Sequence, residues 1–270
     1  MSRWRSALFM PANRPELVAK APRSQPDLVI LDLEDAVPAE QKAAARAELA
    51  GSVASLREAG LAAAVRINPV GSEWFDDDVA ALPDGLAAVV VPMLDTPEAL
   101  AAAKAAPAPV LAGVETVRGV LTAREWLTGD MAGCYFGAED YVVDLGGVRT
   151  DSNDEVATAR ALVAMAARLA GIPALDMVVG DFGDDDRFRR EATQARALGY
   201  AGKLCIHPAQ VPLAKEAFTP SAEEVDRARR LLAAYEAAVA EGRAAISFEG
   251  EMVDEVHAKR ARAVLALAEA

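Results

Sequence analysis

Residues 27–35 read Asp-Leu-Val-Ile-Leu-Asp-Leu-Glu-Asp, DLVILDLED, an unbroken apolar run that ends in carboxylates. A strand with one wet face would alternate apolar and polar residues. This one does not, so it needs cover on both faces, as a parallel strand under helices has. The acids Asp32, Glu34 and Asp35 at its end are then the part of interest.

The same form recurs along the chain. SALFMPA (6–12), AAVRIN (63–68), AAVVVPM (87–93), PVLAGVE (109–115), GCYFGAED (133–140), MVVGD (177–181) and GKLCIHP (202–208) bring the number of such runs to eight. Between them lie alanine-rich, charge-decorated stretches that favour helix. The segment 38–59 carries Lys42, Arg46, Glu48, Arg57 and Glu58 among alanines and suits an outer helix. Thr96-Pro97-Glu98 sets a capping hydroxyl before a first-turn proline. Ser152 with Glu155, and Ser221 with Glu224, match the S-x-x-E capping box. Eight β-then-α units predict an α/β fold, a closed (β/α)8 TIM barrel, with a doubly wound open sheet as the alternative.

The barrel is expected over residues 1–220. The remainder, 221–270, reads as a helical extension: a helix over 221–241, a loop holding Gly242 and Gly250, and a last helix from about 254. That is more chain than barrel closure needs, and it is expected to act as a lid or an oligomer arm.

Bulk composition narrows the function classes. The chain has 270 residues, a length that suits one barrel, and its 53% hydrophobic content is largely alanine. No apolar stretch approaches the ~20 residues that span a bilayer, and the apolar stretch near the start is too short for a secretory signal, so a cytoplasmic protein is expected. A net charge of −13 repels nucleic acid and anionic membrane, so neither is expected as a partner. An anionic substrate then needs a local positive centre, a metal or a buried arginine. The only two cysteines, Cys134 and Cys205, lie far apart in apolar runs and read as reduced core thiols.

Barrel enzymes place their chemistry at the C-terminal ends of the strands. Polar residues collect there: Asp32, Glu34 and Asp35 after the second run, Arg66 and Asn68 after the third, Glu115 after the fifth, Glu139 and Asp140 after the sixth, Asp181 after the seventh and His207 after the eighth. Carboxylates that converge on one small volume repel one another unless a cation compensates. Oxygen ligands without a Cys/His cluster favour Mg²⁺, with Mn²⁺ as the alternative, over Zn²⁺. A metal beside one arginine can grip a 2-oxo acid and stabilise an enolate.

RSALFMPANRPE, VILDLEDAV, VRIN, GVET-x-RG, FGAEDYVVDLGG and CIHPAQ, in that order, resemble the citrate lyase β-subunit family, related to the malyl-CoA and citramalyl-CoA lyases and, more distantly, the HpcH/HpaI class II 2-keto acid aldolases. The resemblance runs from residue 5 to FEGEMVD near the C-terminus. It implies Glu115 and Asp140 as metal ligands and Arg66 as the holder of the oxo-acid carboxylate. It places Glu115, Gly137 and Ala138 against the substrate, with the Gly137-Ala138-Glu139 backbone near the oxyanion. Asp35 stands where the distant aldolases carry a proton-transferring histidine, and is expected to act as base or to position a metal-bound water. Asp254 resembles an aspartate that related lyases insert into a neighbouring subunit, and is the expected general acid. The implied reaction cleaves a citryl-, malyl- or citramalyl-type thioester, on CoA or an acyl carrier, to a 2-oxo acid and an acyl thioester. A homo-oligomer, trimer or hexamer, is expected. Two other readings stand beside it: a 2-keto acid aldolase or Claisen-type thioester hydrolase on the same site, and a non-catalytic scaffold subunit.

One departure is visible. Relatives often carry Pro-Lys at the end of the fourth strand, where this chain has Pro92-Met93. There is also no phosphate loop, which leaves basic residues such as Arg14 and Lys20 for a CoA pyrophosphate. Bland roles are expected elsewhere: His207 as a turn residue satisfying backbone groups, His257 on a solvated helix face, and Asp76–Asp78 and Asp184–Asp186 as solvated helix starts. Asp32 and Glu34 are read as structural or as partners orienting Arg66.

Overall fold

A computed structural model describes residues 4–269. The chain divides into two compact units, Met1–Lys215 and Glu216–Ala270.

In the first unit, eight parallel strands close on themselves: β1 (Ser6–Pro11), β2 (Leu28–Asp32), β3 (Ala62–Arg66), β4 (Ala88–Val91), β5 (Val110–Val114), β6 (Gly133–Phe136), β7 (Ala174–Asp176) and β8 (Gly202–Cys205). Each pairs with its neighbour in sequence, and β8 returns to β1 through Ser6↔Lys203 and Leu8↔Cys205. The expected closed barrel is thus the fold. The connections carry helices α1 (Pro15–Val18), α2 (Lys42–Glu58), α3 (Phe75–Ala81), α4 (Pro97–Ala103), α5 (Val117–Trp126), α6 (Ala138–Leu145), α7 (Asp154–Ala170), α8 (Asp185–Leu198) and α9 (Gln210–Phe218).

Strand residues point alternately inward and outward. Leu28 and Ile30, Ala64, Val90, Leu111, Tyr135, Leu175 and Leu204 share the packed interior. Continuing that period of two, Asp32, Arg66, Glu115 and Gly137 arrive on the inward side just above it. Apolar side chains fill the barrel, and the polar ones emerge where the filling stops. Cys134 and Cys205 are buried free thiols, as expected, with burial pushing both up to about 12.

Several local expectations need correction. The seventh strand is Ala174–Asp176, not 177–181: Cys134↔Ala174 and Leu175↔Gly202 set its register. Met177 and Val179 are buried past the end of the ladder, so apolarity outlasts pairing. No capping box forms at Ser152 and Glu155. Asn153, at φ 60°, is the residue before α7, and the Glu155 carboxylate accepts from Thr150 and pairs with Arg149. Asp78 is not solvated. It is fully buried, accepts from Arg46 Nε at 2.7 Å, and accepts from Asn68 through both N and Nδ2. Lys42 likewise turns inward from α2, donating to the carbonyls of Leu33 and Glu34 and to Asn68 Oδ1. The cap at Thr96 does form, its hydroxyl accepting from Ala99 N, and Asp184 caps α8 through Arg187 N.

Sequence patterning gave no sign of a buried ion cluster between β7, β8 and the helices outside them. Lys203, fully buried, reaches Asp176 Oδ2 at 2.5 Å and Glu191 Oε2 at 3.5 Å. Arg160 forks onto the same Asp176 at 2.9 and 3.0 Å. Mutual pairing is what lets these charges stay out of water.

The second unit contains α10 (Ala222–Ala240), a hairpin of β9 (Ile246–Phe248) and β10 (Glu251–Val253), and α11 (Glu255–Glu269). The capping box at Ser221 and Glu224 is complete, an arrangement worth ~1 kcal/mol. Ala228, Leu231 and Tyr235 of α10 pack with Val253, Ala258 and Ala261. The segment expected as a loop is a hairpin instead. Phe248 pairs with Glu251, leaving Glu249 (φ 51°) and Gly250 (φ 85°) as a two-residue turn of the type whose twist matches paired strands. Among the described residues no helix is long and apolar enough to cross a membrane.

Candidate active site

A cavity of about 410 Å³ opens at the C-terminal ends of the strands. β1 contributes Phe9, the last residue of β2 and the turn after it Asp32 and Asp35, β3 Arg66, the residue after β5 Glu115, and β6 with the start of α6 Tyr135 and Gly137–Asp140. Eight expected site positions therefore meet there: Asp32, Asp35, Arg66, Glu115, Gly137, Ala138, Glu139 and Asp140. Asp254 lies in the second unit.

Arg66 is the positive centre. Its side chain is 11% exposed, and its guanidinium lies 4.8 Å over the Phe9 ring, a cation–π contact. Asp32, its register partner across β2–β3, takes the Nε–Nη2 edge through hydrogen bonds of 2.8 and 2.6 Å. Asp32 also accepts from the backbone N–H of Glu34 and of Ala36, bracing the turn that carries Asp35. Glu34 Oε2 stands 2.7 Å from Nη1. Asp35, 3.5 Å from Nη1 and 71% exposed, is the loosest of the three acids and the one a ligand carboxylate can replace.

Glu115 is almost fully buried. Its Oε2 accepts from the Met93 N–H at 2.7 Å. Met93 supplies that N–H from a left-handed backbone, φ 56°, while its side chain stays 38% exposed. So the position where relatives often carry lysine works here through its backbone. Two glycines make room for the carboxylate. A Cβ on Gly137 would sit 2.4 Å from Glu115 Oε1, and one on Gly113 would sit 2.7 Å from Oε2. Gly137 N–H is taken by the Val114 carbonyl, and Gly137 leads into α6, whose first turn holds Glu139 and Asp140. Glu139 pairs outward with Arg149 at 2.9 Å.

Electrostatics at this end of the barrel are strained in one direction. Burial pushes the Glu115 carboxyl up to about 7, and the nearby Asp140 adds to the rise. Asp140 is raised by burial and by Asp35. Burial pushes Glu34 up to about 8, with Asp35, Glu115 and Asp32 opposing its charge, because one guanidinium already neutralised by Asp32 cannot serve them all. Arg66 itself is held charged, its pKa raised by Asp32 against the cost of burial. The excess of acid is relieved by a cation. Glu115 and Asp140, two carboxylates on one cavity with a cradle of glycines beside the first, fit an octahedral hard cation, which takes one or two protein carboxylates and keeps its other positions for water and substrate. Among the described residues no cluster of three or more His, Cys, Asp or Glu offers a fuller cage.

Two contributors escaped sequence reasoning. Tyr135 stands one inward step before Gly137, a place the alternation Gly133, Tyr135, Gly137 marks on β6. Phe9 occupies the matching place on β1. Neither residue type announced chemistry in an apolar run. His207 is exposed, accepts from Ala209 N through Nδ1 and stacks on Phe182, in keeping with its expected turn role. His257 is not simply solvated: its Nδ1 lies 2.7 Å from Asp254 Oδ1. Asp254 in turn accepts from Val256 N at the start of α11.

The HpcH/HpaI aldolase/citrate lyase pattern matches residues 5–208. The citrate lyase subunit beta-like protein of Deinococcus radiodurans is 51% identical over 272 residues, covering 97% of this chain and 96% of its own. A (3S)-malyl-CoA thioesterase of Cereibacter sphaeroides is 34% identical over 271 residues, covering 99% and 95%. CitE from Mycobacterium tuberculosis, solved in complex with magnesium, acetoacetate and coenzyme A, matches with a TM-score of 0.85 at 36% identity, over 100% of this chain and 99% of that one. With matches that span the barrel and reach past it, the chain belongs to the HpcH/HpaI aldolase/citrate lyase family, a family of lyase-type enzymes.

Proposed function

We propose that the chain is a Mg²⁺-dependent carbon–carbon lyase that cleaves a 3-hydroxyacyl thioester of citryl, malyl or citramalyl type into a 2-oxo acid and an acyl thioester. The observation that carries this reading is the shared cavity of Arg66, Glu115 and Asp140, a guanidinium beside two carboxylates of raised pKa. The relatives' magnesium and coenzyme A support it.

Glu115 and Asp140 hold the metal, which when bound supplies Lewis-acid stabilisation of charge on the oxo-acid oxygens. Arg66 binds the oxo-acid carboxylate through the edge that Asp32 does not fork, displacing Asp35 from Nη1 and sharing that nitrogen with Glu34. Asp35, released and at the cavity mouth, takes the proton of the 3-hydroxyl directly or through water. As that oxygen forms its C=O bond, the C2–C3 bond breaks and its electron pair passes to C2 of the departing acyl thioester. A proton delivered to that carbon completes the cleavage. Ala138, at the start of α6, adds the positive end of a helix near the oxyanion. Asp254 is assigned the protonation step, acting in a neighbouring copy of a homo-oligomer. His257 holds its carboxyl below the usual range, so it reaches the acid form only away from that partner.

The test is purified protein with Mg²⁺ against citryl-, malyl- and citramalyl-CoA, following release of oxaloacetate, glyoxylate or pyruvate. No turnover with any of the three sinks the CoA lyase reading. The similarity to a thioesterase favours one second reading, hydrolysis of the thioester in the same cavity. Release of free CoA without C–C cleavage selects it.

A further inference from the structure

The Tyr135 phenol is 2% exposed, and its hydroxyl lies beside the Glu115 carboxylate but outside the alignment of a good hydrogen bond. A buried hydroxyl left in that state is costly, on the order of a lost hydrogen bond. Yet the barrel is built to keep it there. Gly113, its register partner on β5, lies under the ring: a Cβ at 113 would sit 2.6 Å from Tyr135 Oη and 2.8 Å from Cζ. Any larger residue at 113 would expel the phenol from its place.

That place is the cavity floor. Tyr135 lines the cavity with Arg66 and Glu115, and both charges act on it. A phenol keeps its proton at neutral pH, so Tyr135 is a neutral donor there. Glu115 Oε2 accepts from Met93 N–H at 2.7 Å, which fixes the carboxylate beside the phenol without aligning the two. A 2-oxo acid spanning the arginine and the metal position carries more lone pairs than those two partners take up, which leaves acceptors for another donor in the same cavity.

We infer that Tyr135 is a substrate-contacting residue whose hydroxyl donates a hydrogen bond from the barrel floor to an oxygen of the bound 2-oxo acid. The inference rests on the proposed function and names a contact within it. Its energetic logic is that Glu115 offers the donor only a poorly aligned partner, and an oxo-acid oxygen in the same cavity offers a better one. The hydroxyl therefore contributes to ligand affinity and little to folding.

Tyr135→Phe removes one oxygen and leaves the ring that fills the barrel. Calorimetric titration of the whole protein compares Mg²⁺ alone with pyruvate and oxaloacetate added to the Mg²⁺-loaded form. The variant is expected to bind both oxo acids ~10–150-fold more weakly, the range of one hydrogen bond to a charged acceptor. Its Mg²⁺ affinity stays that of wild type, and its ligand-free melting temperature is equal or higher. Unchanged oxo-acid affinity overturns the inference. So does a parallel loss of Mg²⁺ affinity with a lower melting temperature, which would mean that the phenol serves Glu115 instead. Failure of the wild type to bind either oxo acid in Mg²⁺ would fell the functional reading first, a result distinct from equal binding by both proteins.

Discussion

Asp32 and Arg66 are register partners on adjacent strands, and their side chains meet in two parallel hydrogen bonds, Nε to Oδ1 at 2.8 Å and Nη2 to Oδ2 at 2.6 Å. This fork aims the remaining edge of the guanidinium into the cavity. Asp32→Asn sets an amide N–H against one of the arginine donors and loses the charge assistance. The oxo acid should then bind ~10-fold or more weakly, seen as a rise in KM or in the product inhibition constant. An unchanged constant would show that the orientation of Arg66 does not depend on Asp32.

Gly137 and Glu115 are coupled by lack of space. An alanine Cβ at 137 would fall 2.4 Å from Glu115 Oε1, so Gly137→Ala should push the carboxylate off its position. Mg²⁺ affinity measured by calorimetry should drop roughly 10-fold, typical of disturbing what orients a ligand. Glu115→Gln should cost more, because it removes the anionic ligand itself. Retained metal affinity in both variants would remove Glu115 from the metal site.

Glu34 gives a pH signature. Its carboxyl is raised from 4.5 to about 8 by burial and by three nearby acids. A folded pKa above the unfolded one means that the favourable neutral form is fully present below 4.5 and is lost as pH rises through 8. Glu34→Gln cannot titrate. Its melting temperature relative to wild type should therefore climb steadily between pH 5 and pH 8. A difference that stays flat across this window would mean that Glu34 remains ionised beside Arg66.

Lys203 tests the wall of the barrel away from the cavity. Lys203→Met strips the ammonium from Asp176 and Glu191, both buried. Arg160 and Arg187 still pair with these acids, so the loss should be roughly 3 kcal/mol, at the low end for a broken buried pair. Chemical denaturation measures it. A neutral outcome would show that the two arginines suffice.

Much of the molecule was legible before the structure. Eight apolar runs needing cover on both faces can be satisfied by a parallel barrel, and six of them end in charged or polar residues. Arg66, Glu115 and Asp140 stood among the strand-end polar residues because a charge at the end of a continuous apolar run is a local feature, and the family resemblance singled them out from the rest. The capping box at Ser221 and Glu224 was readable for the same reason: all its partners lie within one turn. The pattern at Ser152 and Glu155 looked the same but failed, since Arg149 and Thr150 compete for the same carboxylate.

The sequence by itself determined the succession of β-then-α units and the carboxylates and arginine at the strand ends, because apolar run length and end residues are properties of neighbours along the chain, while closure and strand order came from the structure. The tertiary structure decided what those residues do to one another. Only closure of β5 against β6 brings Gly113 beneath Tyr135, and only the left-handed turn at Met93 delivers its N–H to Glu115. Only the packing of α2 and α3 on the strand-end turns buries Lys42 and Asp78 around Asn68. These contacts join residues 10 to 26 positions apart. They depend on distances of a few tenths of an ångström between strands and helices, which no pattern of residue types along one chain encodes.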